Sequence, residues 1–160
     1  MGKIDLNAVP EQCGTGYPKR FHAIKGDILK RNFRRVGQAG GLTQFGVNWV
    51  RLESGGVSSL RHWHMQEDEF IVVLEGELVM ITDEGEAIMH AGDMAAFPKG
   101  VENGHHFLNR SARDAVLLAV GTKNREEVAY YSDVDMMVGP GDAPYRTRAG
   151  TVYGDIPEKK

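Results

Sequence analysis

Gly56-Val-Ser-Ser-Leu-Arg-His62-Trp-His64-Met-Gln-Glu-Asp-Glu69-Phe-Ile-Val-Val-Leu-Glu-Gly76 is the stretch whose reading decides the fold. Side chains in a strand alternate between faces, so His62 and His64 share a side, about 7 Å apart along the backbone at roughly 3.3 Å per residue. Trp63 takes the other side. Met65 to Asp68 is short and polar enough to reverse the chain, and the β-branched and aromatic run Phe70 to Leu74 reads as the return strand. With Glu69 opening that strand on the inward face, two imidazoles and a carboxylate converge. That is the outline of a divalent transition-metal site. On its own, an H-x-H pair more often marks two partly buried, hydrogen-bonded histidines. The carboxylate and the strand behind it shift that weight.

Outward from this stretch, strand-sized runs recur: Thr43–Leu52, Val57–His64, Glu69–Leu74, Glu77–Thr82, Glu86–His90, Met94–Phe97, His105–Asn109 and Ala115–Val120. Turn residues separate them, among them Asp83-Glu-Gly85, a hairpin turn with glycine at its left-handed position. Many short, closely spaced strands argue for an all-β sandwich or barrel. Phe70–Leu74 and Leu78–Ile81 are apolar on both faces, whereas a sheet with one wet face alternates apolar with polar. Their outer face therefore needs a cover, and both the N-terminal segment and a second subunit are expected to supply it. A homodimer follows from that expectation.

Residues 1–40 read as an N-terminal arm. Its first twenty residues are extended and broken by Pro10, Gly14, Gly16 and Pro18, and one or two short strands lie between Phe21 and Val36. Residues 41–122 form the central unit. Residues 123–160 hold a last strand at Val128–Tyr131 and an aperiodic tail that drapes over the rest, or over a partner, through Tyr145 and Tyr153.

With 160 residues, 41% of them hydrophobic, the chain suits one domain with a real core. A net charge of −3 carries no basic excess, so neither nucleic acid nor an anionic membrane is an expected partner. Cys13 is the single cysteine, which excludes an internal disulfide. The stretch Met1 to Gly16 has no apolar core of signal-peptide length, no segment approaches the apolar length of a membrane span, and a cytoplasmic location is the expectation.

A second stretch supplies another ligand: Gly92-Asp-Met-Ala-Ala-Phe-Pro98-Lys-Gly100-Val-Glu-Asn-Gly-His105-His106-Phe-Leu-Asn109. One of the two adjacent histidines must face inward, and if Asn109 does too, parity selects His105. Together the two stretches resemble the paired motifs of the cupin superfamily. Gly56, His62, His64, Glu69 and Gly76 match every position of G(X)5HXH(X)3,4E(X)6G. Gly92, Pro98, Gly100, His105 and Asn109 match G(X)5PXG(X)2H(X)3N with one departure. Four residues rather than two separate Gly100 from the histidine, and Asn103 stands at the regular ligand position. The resemblance covers roughly residues 41–122. It implies a jelly-roll β-barrel with extended N- and C-terminal arms and a metal inside its mouth. By the same carry-over the ligands are His62, His64, Glu69 and His105, and the cofactor is a divalent transition metal (Zn, Fe, Mn, Ni or Cu).

Alternatives stay open at two positions. Glu67 shares the parity of Glu69, competes as the carboxylate, and is the nearest acid/base by sequence. His106 replaces His105 if the longer loop shifts the register, and is otherwise an outward surface or interface histidine. Asn109 reads as a structural hydrogen-bonder, His90 as a solvated turn residue, and Met80, Met89 and Met94 as core filler. The expected ligand is a small molecule in the barrel. The leading expectation is an enzyme on a small polar substrate that chelates the ion, of the sugar or sugar-phosphate isomerase kind. A metal-dependent dioxygenase and a non-catalytic small-molecule-binding protein are the alternatives. A phosphate would need cations at the mouth, for which the candidates are Arg51, Arg61, Lys99 and Arg110.

Overall fold

The computed structural model describes residues 2–154; positions 155–160, the end of the expected tail, lie outside the described residues. Twelve strands are named among them: β1 Gln12–Cys13, β2 Arg31–Arg34, β3 Phe45–Leu52, β4 His62–His64, β5 Glu69–Glu75, β6 Glu77–Thr82, β7 Gly85–His90, β8 Met94–Phe97, β9 His106–Leu108, β10 Ala115–Thr122, β11 Ala129–Tyr131 and β12 Met136–Val138. The helical elements are three single 3-10 turns and one four-residue helix, α1 Val36–Ala39. The all-β expectation therefore holds.

The expected closed barrel is not what the ladders form. Antiparallel pairing makes a six-stranded sheet in the order β1-β2-β3-β10-β5-β8 and two three-stranded sheets, β12-β11-β4 and β7-β6-β9. Val57–His64, expected as one strand, is a strand only over His62–His64. Before it, Gly56 and Val57 make only isolated bridges, to Asp27 and Leu108, and the chain bends over 58–60. A Cβ at Gly56 would stand 2.8 Å from the Lys30 carbonyl oxygen, so this motif glycine marks a backbone-to-backbone approach. Gly76, at φ +77°, makes the turn from β5 to β6, where a Cβ would stand 3.0 Å from the Ala115 methyl.

Both arms are built into the structure. The first twenty residues are not a loose extension: β1 pairs with β2, Val9 and Tyr17 are buried, and Arg34 holds the carbonyls of Leu6 and Val9. The tail behaves as expected at its aromatics, since Tyr145 packs on Tyr17 and Tyr131 and Tyr153 packs on Phe21. It also adds β12, which its lack of periodicity concealed.

Two clusters form the core. Val50, Leu52, Ile71, Val73, Leu78, Phe107 and Leu117 lie beneath the large sheet. Tyr17, Ile28, Val57, Leu60, Tyr131 and Met136 lie where the two arms meet. Each such side chain contributes roughly 1.5–3 kcal/mol by burial. Met89 is core as expected, but Met94 is 63% exposed, because its position on β8 faces away from the core.

Candidate metal centre and cavity

Strand alternation and two loop tethers assemble the site. His62 and His64, on one face of β4, bring their Nε2 atoms to 3.0 Å from each other. Glu69 at the start of β5 places Oε2 3.9 Å from His64 Nε2 and 2.7 Å from His105 Nε2. The His105 backbone bonds reciprocally with that of His62. His62, Glu69 and His105 form one group whose possible ligand atoms lie within 4.8 Å of one another, and His64 stands beside it through His62.

The two-residue insertion before His105 has a visible reason. Asn103, at the regular ligand position, turns away and accepts from the Asp83 backbone N–H, while the Gly104 N–H donates to the Asp83 carboxylate. The loop is thereby tied to the β6–β7 turn, and His105 enters the cluster instead. The open choice between the two histidines falls to His105. His106 is not the outward surface residue it was expected to be. It is 1% exposed, its Nδ1 donates to the Ser59 carbonyl, and burial lowers its pKa. The face it turns to is covered by the Ser58–Leu60 segment rather than by water. Asn109 is structural as expected, donating to the Leu52 and Arg113 carbonyls. His90 is exposed beside Glu77.

Hydrogen bonds on the far side of each ring fix what the cluster offers. The Leu60 carbonyl can only accept, so His62 donates through Nδ1–H and its Nε2 carries a lone pair. The Glu127 carboxylate takes the same role behind His64, 3.0 Å from its Nδ1. With both Nδ1 atoms turned to acceptors, the two Nε2 atoms face each other across 3.0 Å, an arrangement favourable only around a proton or a cation. Burial, with the neighbouring His105 and His64 rings, lowers the His62 pKa to about 3, so that ring is neutral at pH 7. Burial alone would raise Glu69, but the His105 hydrogen bond and the histidine charges outweigh it and bring it to about 2. An imidazole nitrogen pair beside a fixed carboxylate is the donor set a divalent transition metal takes, with carboxylate–histidine support behind a ligand. His105 lacks that support: its buried Nδ1 has no hydrogen-bond partner, and the ring is held by stacking on Phe97, 3.5 Å between centroids.

Glu127 is the residue that sequence reasoning missed. It lies in the polar connection before β11, and no motif position marks it; only the pairing of β11 with β4 brings it behind His64. Glu67 is drawn to the same side. It accepts from the Asn124 N–H, its pKa is raised by burial, and it forms with His64 and Glu127 a second group of possible ligands. It is not in the cluster of Glu69 and does not line the cavity that cluster faces.

That cavity, about 300 Å³, is bounded by the four clustered residues, by apolar Val50, Ile71, Phe107 and Leu117, and by polar Tyr17, Arg31, Asn48 and Ser58. Of the cations expected at its mouth, Arg51, Arg61 and Arg110 are instead committed to Asp114, Asp133 and Glu86, and Lys99 is exposed elsewhere. Arg31 and Arg35, which the sequence reading passed over, line the cavity in their place.

Residues 48–121 match the cupin domain family. A crystal structure from Silicibacter pomeroyi DSS-3, described as a sugar phosphate isomerase from a cupin superfamily, is 47% identical, with a TM-score of 0.89 over 97% of this chain and 99% of that one. The chain belongs to the cupin superfamily. Other cupin-like structures share its fold at lower identity. One from Acidithiobacillus ferrooxidans, provisionally described as a sugar phosphate isomerase, is 24% identical with a TM-score of 0.69 over 74% of this chain and 77% of that one. The polyketide cyclase RemF from Streptomyces resistomycificus is 15% identical with a TM-score of 0.61 over 97% and 89%. Among curated proteins none matches this cupin. Among its described residues no helix is long and apolar enough to cross a membrane.

Proposed function

We propose that this cupin is a metal-dependent isomerase acting on a small polar sugar or sugar phosphate, with a divalent ion held by His62, His64, Glu69 and His105. The facing Nε2 atoms of His62 and His64, 3.0 Å apart and each fixed by an acceptor behind its ring, carry the reading. The 47% identical neighbour described as a sugar phosphate isomerase supports the choice of reaction class. A bound ion would supply Lewis acidity to a substrate carbonyl.

The chain's own residues do the rest. Glu127 and the Leu60 carbonyl keep both rings in the ligating tautomer. Val50, Phe107 and Leu117 exclude water from one side of the cavity. Tyr17, whose pKa burial raises, remains a phenol and presents polarity without charge. Glu67, the acid/base expected from sequence, does not line this cavity but shares an adjoining pocket with His64 and Glu69.

The test is elemental analysis of natively expressed protein, followed by NMR detection of aldose–ketose interconversion over a panel of sugars and sugar phosphates. Interconversion that disappears with chelator and in a His62→Ala/His64→Ala variant is expected. A protein with one metal per chain and no turnover of any panel member would contradict the isomerase reading.

A further inference from the structure

Arginine normally enters a protein interior with a carboxylate, because an unpaired buried charge costs several kcal/mol. Arg61, largely buried and paired with Asp133, follows that rule. Arg31 does not. Its Nη1 donates to the Ser58 carbonyl, its Nε is buried without a partner, and its guanidinium lies over the Phe33 ring, 4.9 Å from the centroid. The groups that act on it most are Tyr17, Tyr145, a second cation, Arg35, and Tyr131; Glu69, the carboxylate lining the same cavity, is hydrogen-bonded to His105 instead. Arg35 likewise has a neutral hydrogen-bond partner, Gln12, at 3.4 Å, and stands over the other reach of Phe33 at 5.4 Å.

Parity explains the arrangement. Positions 31 and 33 share one face along β2, and Arg35, just past its end at the N-cap of α1, stands against the same phenyl ring, so that all three line the cavity that also holds His62, His64, Glu69 and His105. Asn32 and Arg34 take the other face, toward Glu53 and the carbonyls of Leu6 and Val9. The stripe lies outside residues 48–121, so the cupin domain match does not account for it.

We propose that Arg31, assisted by Arg35 at the mouth, binds the oxyanion of the ligand, a phosphate monoester or a carboxylate, while the ligand's uncharged end reaches the histidine cluster. This rests on the reading of the cavity as the ligand site. A planar guanidinium with free N–H groups meets such an oxyanion with paired hydrogen bonds, and the anion supplies the countercharge that the fold withholds.

The test is calorimetric titration of the purified protein at pH 7 with inorganic phosphate and, separately, acetate. Variants Arg31→Gln and Arg35→Gln are compared, with circular dichroism and a thermal melt reporting their fold. At least one ion should bind, at least tenfold more weakly to Arg31→Gln and about threefold more weakly to Arg35→Gln. The ion that binds identifies the ligand's anionic group as phosphate or carboxylate. Should Arg31→Gln fail to fold, Arg35→Gln, altered only at an exposed side chain, decides. Binding should persist in His62→Ala/His64→Ala, where no ion at the histidine cluster can capture the anion. Equal affinity in wild type and the arginine variants, no binding to folded wild type, or binding lost with the histidines would each overturn the proposal. Metal content and turnover, measured separately, report on the isomerase reading, so the two can fail independently.

Discussion

At the scale of single residues, the cluster is defined by what stands behind each ring. Replacing Glu127 with Gln leaves the shape but removes the charge that holds the His64 proton on Nδ1. Metal affinity should fall roughly 10- to 100-fold with the melting temperature little changed, read by competition with a chromophoric chelator. Proton linkage gives a second test. His62 has a folded pKa of about 3, below its ordinary 6.5, so between those values the unfolded chain binds a proton that the folded chain refuses. Stability therefore falls as pH falls through that window. Glu69, depressed to about 2, contributes stability above its ordinary 4.5 that is lost as pH drops toward 2, so it slopes the same way. Chelator-treated protein should lose about 3 kcal/mol between pH 6.5 and 4 in urea titrations, and His62→Gln should flatten most of that slope.

Among the elements, turns and inserted loops place the site. At Gly76 a side chain would need positive φ and would press on Ala115. Gly76→Val should cost about 1–3 kcal/mol by thermal melt and move Glu69 only through general destabilisation. The cupin motif residues and the strands that carry them were legible because period-2 alternation and glycine turns are local signals. What was not legible depends on pairing distant in sequence. Glu127 becomes relevant only when β11 lies beside β4. Arg31 and Arg35 become relevant only when β2 joins β3 and brings Arg31, Phe33 and the Arg35 that follows it to the cavity. His106 looked like a surface residue because a local reading cannot see the segment at Ser59 that covers it. How the three sheets join was not legible either, because strand count alone does not fix it.

For the whole molecule, the outer face of the large sheet is the open question the fold itself poses. Ladder register lines up Val47, Val120, Phe70 and Ala96 across four strands, with Trp49, Leu118, Val72 and Met94 in the next row. The N-terminal arm covers part of it, where Gly37 of α1 sits against Val47. Phe70, Leu74 and Met94 remain exposed at 40%, 41% and 63%. We propose that a second copy of the chain covers this remainder, since a two-row apolar face is larger than scattered surface residues require. Phe70→Lys with Met94→Lys should convert a dimer to a monomer in sedimentation velocity while leaving the fold intact; a wild-type monomer at high concentration would contradict this. The central claim, that His62, His64, Glu69 and His105 form one metal centre, is tested most directly by metal stoichiometry of natively expressed protein, wild type against His62→Ala/His64→Ala. The account predicts close to one transition-metal ion per wild-type chain and close to none in the folded double variant. Equal metal content in both would contradict it.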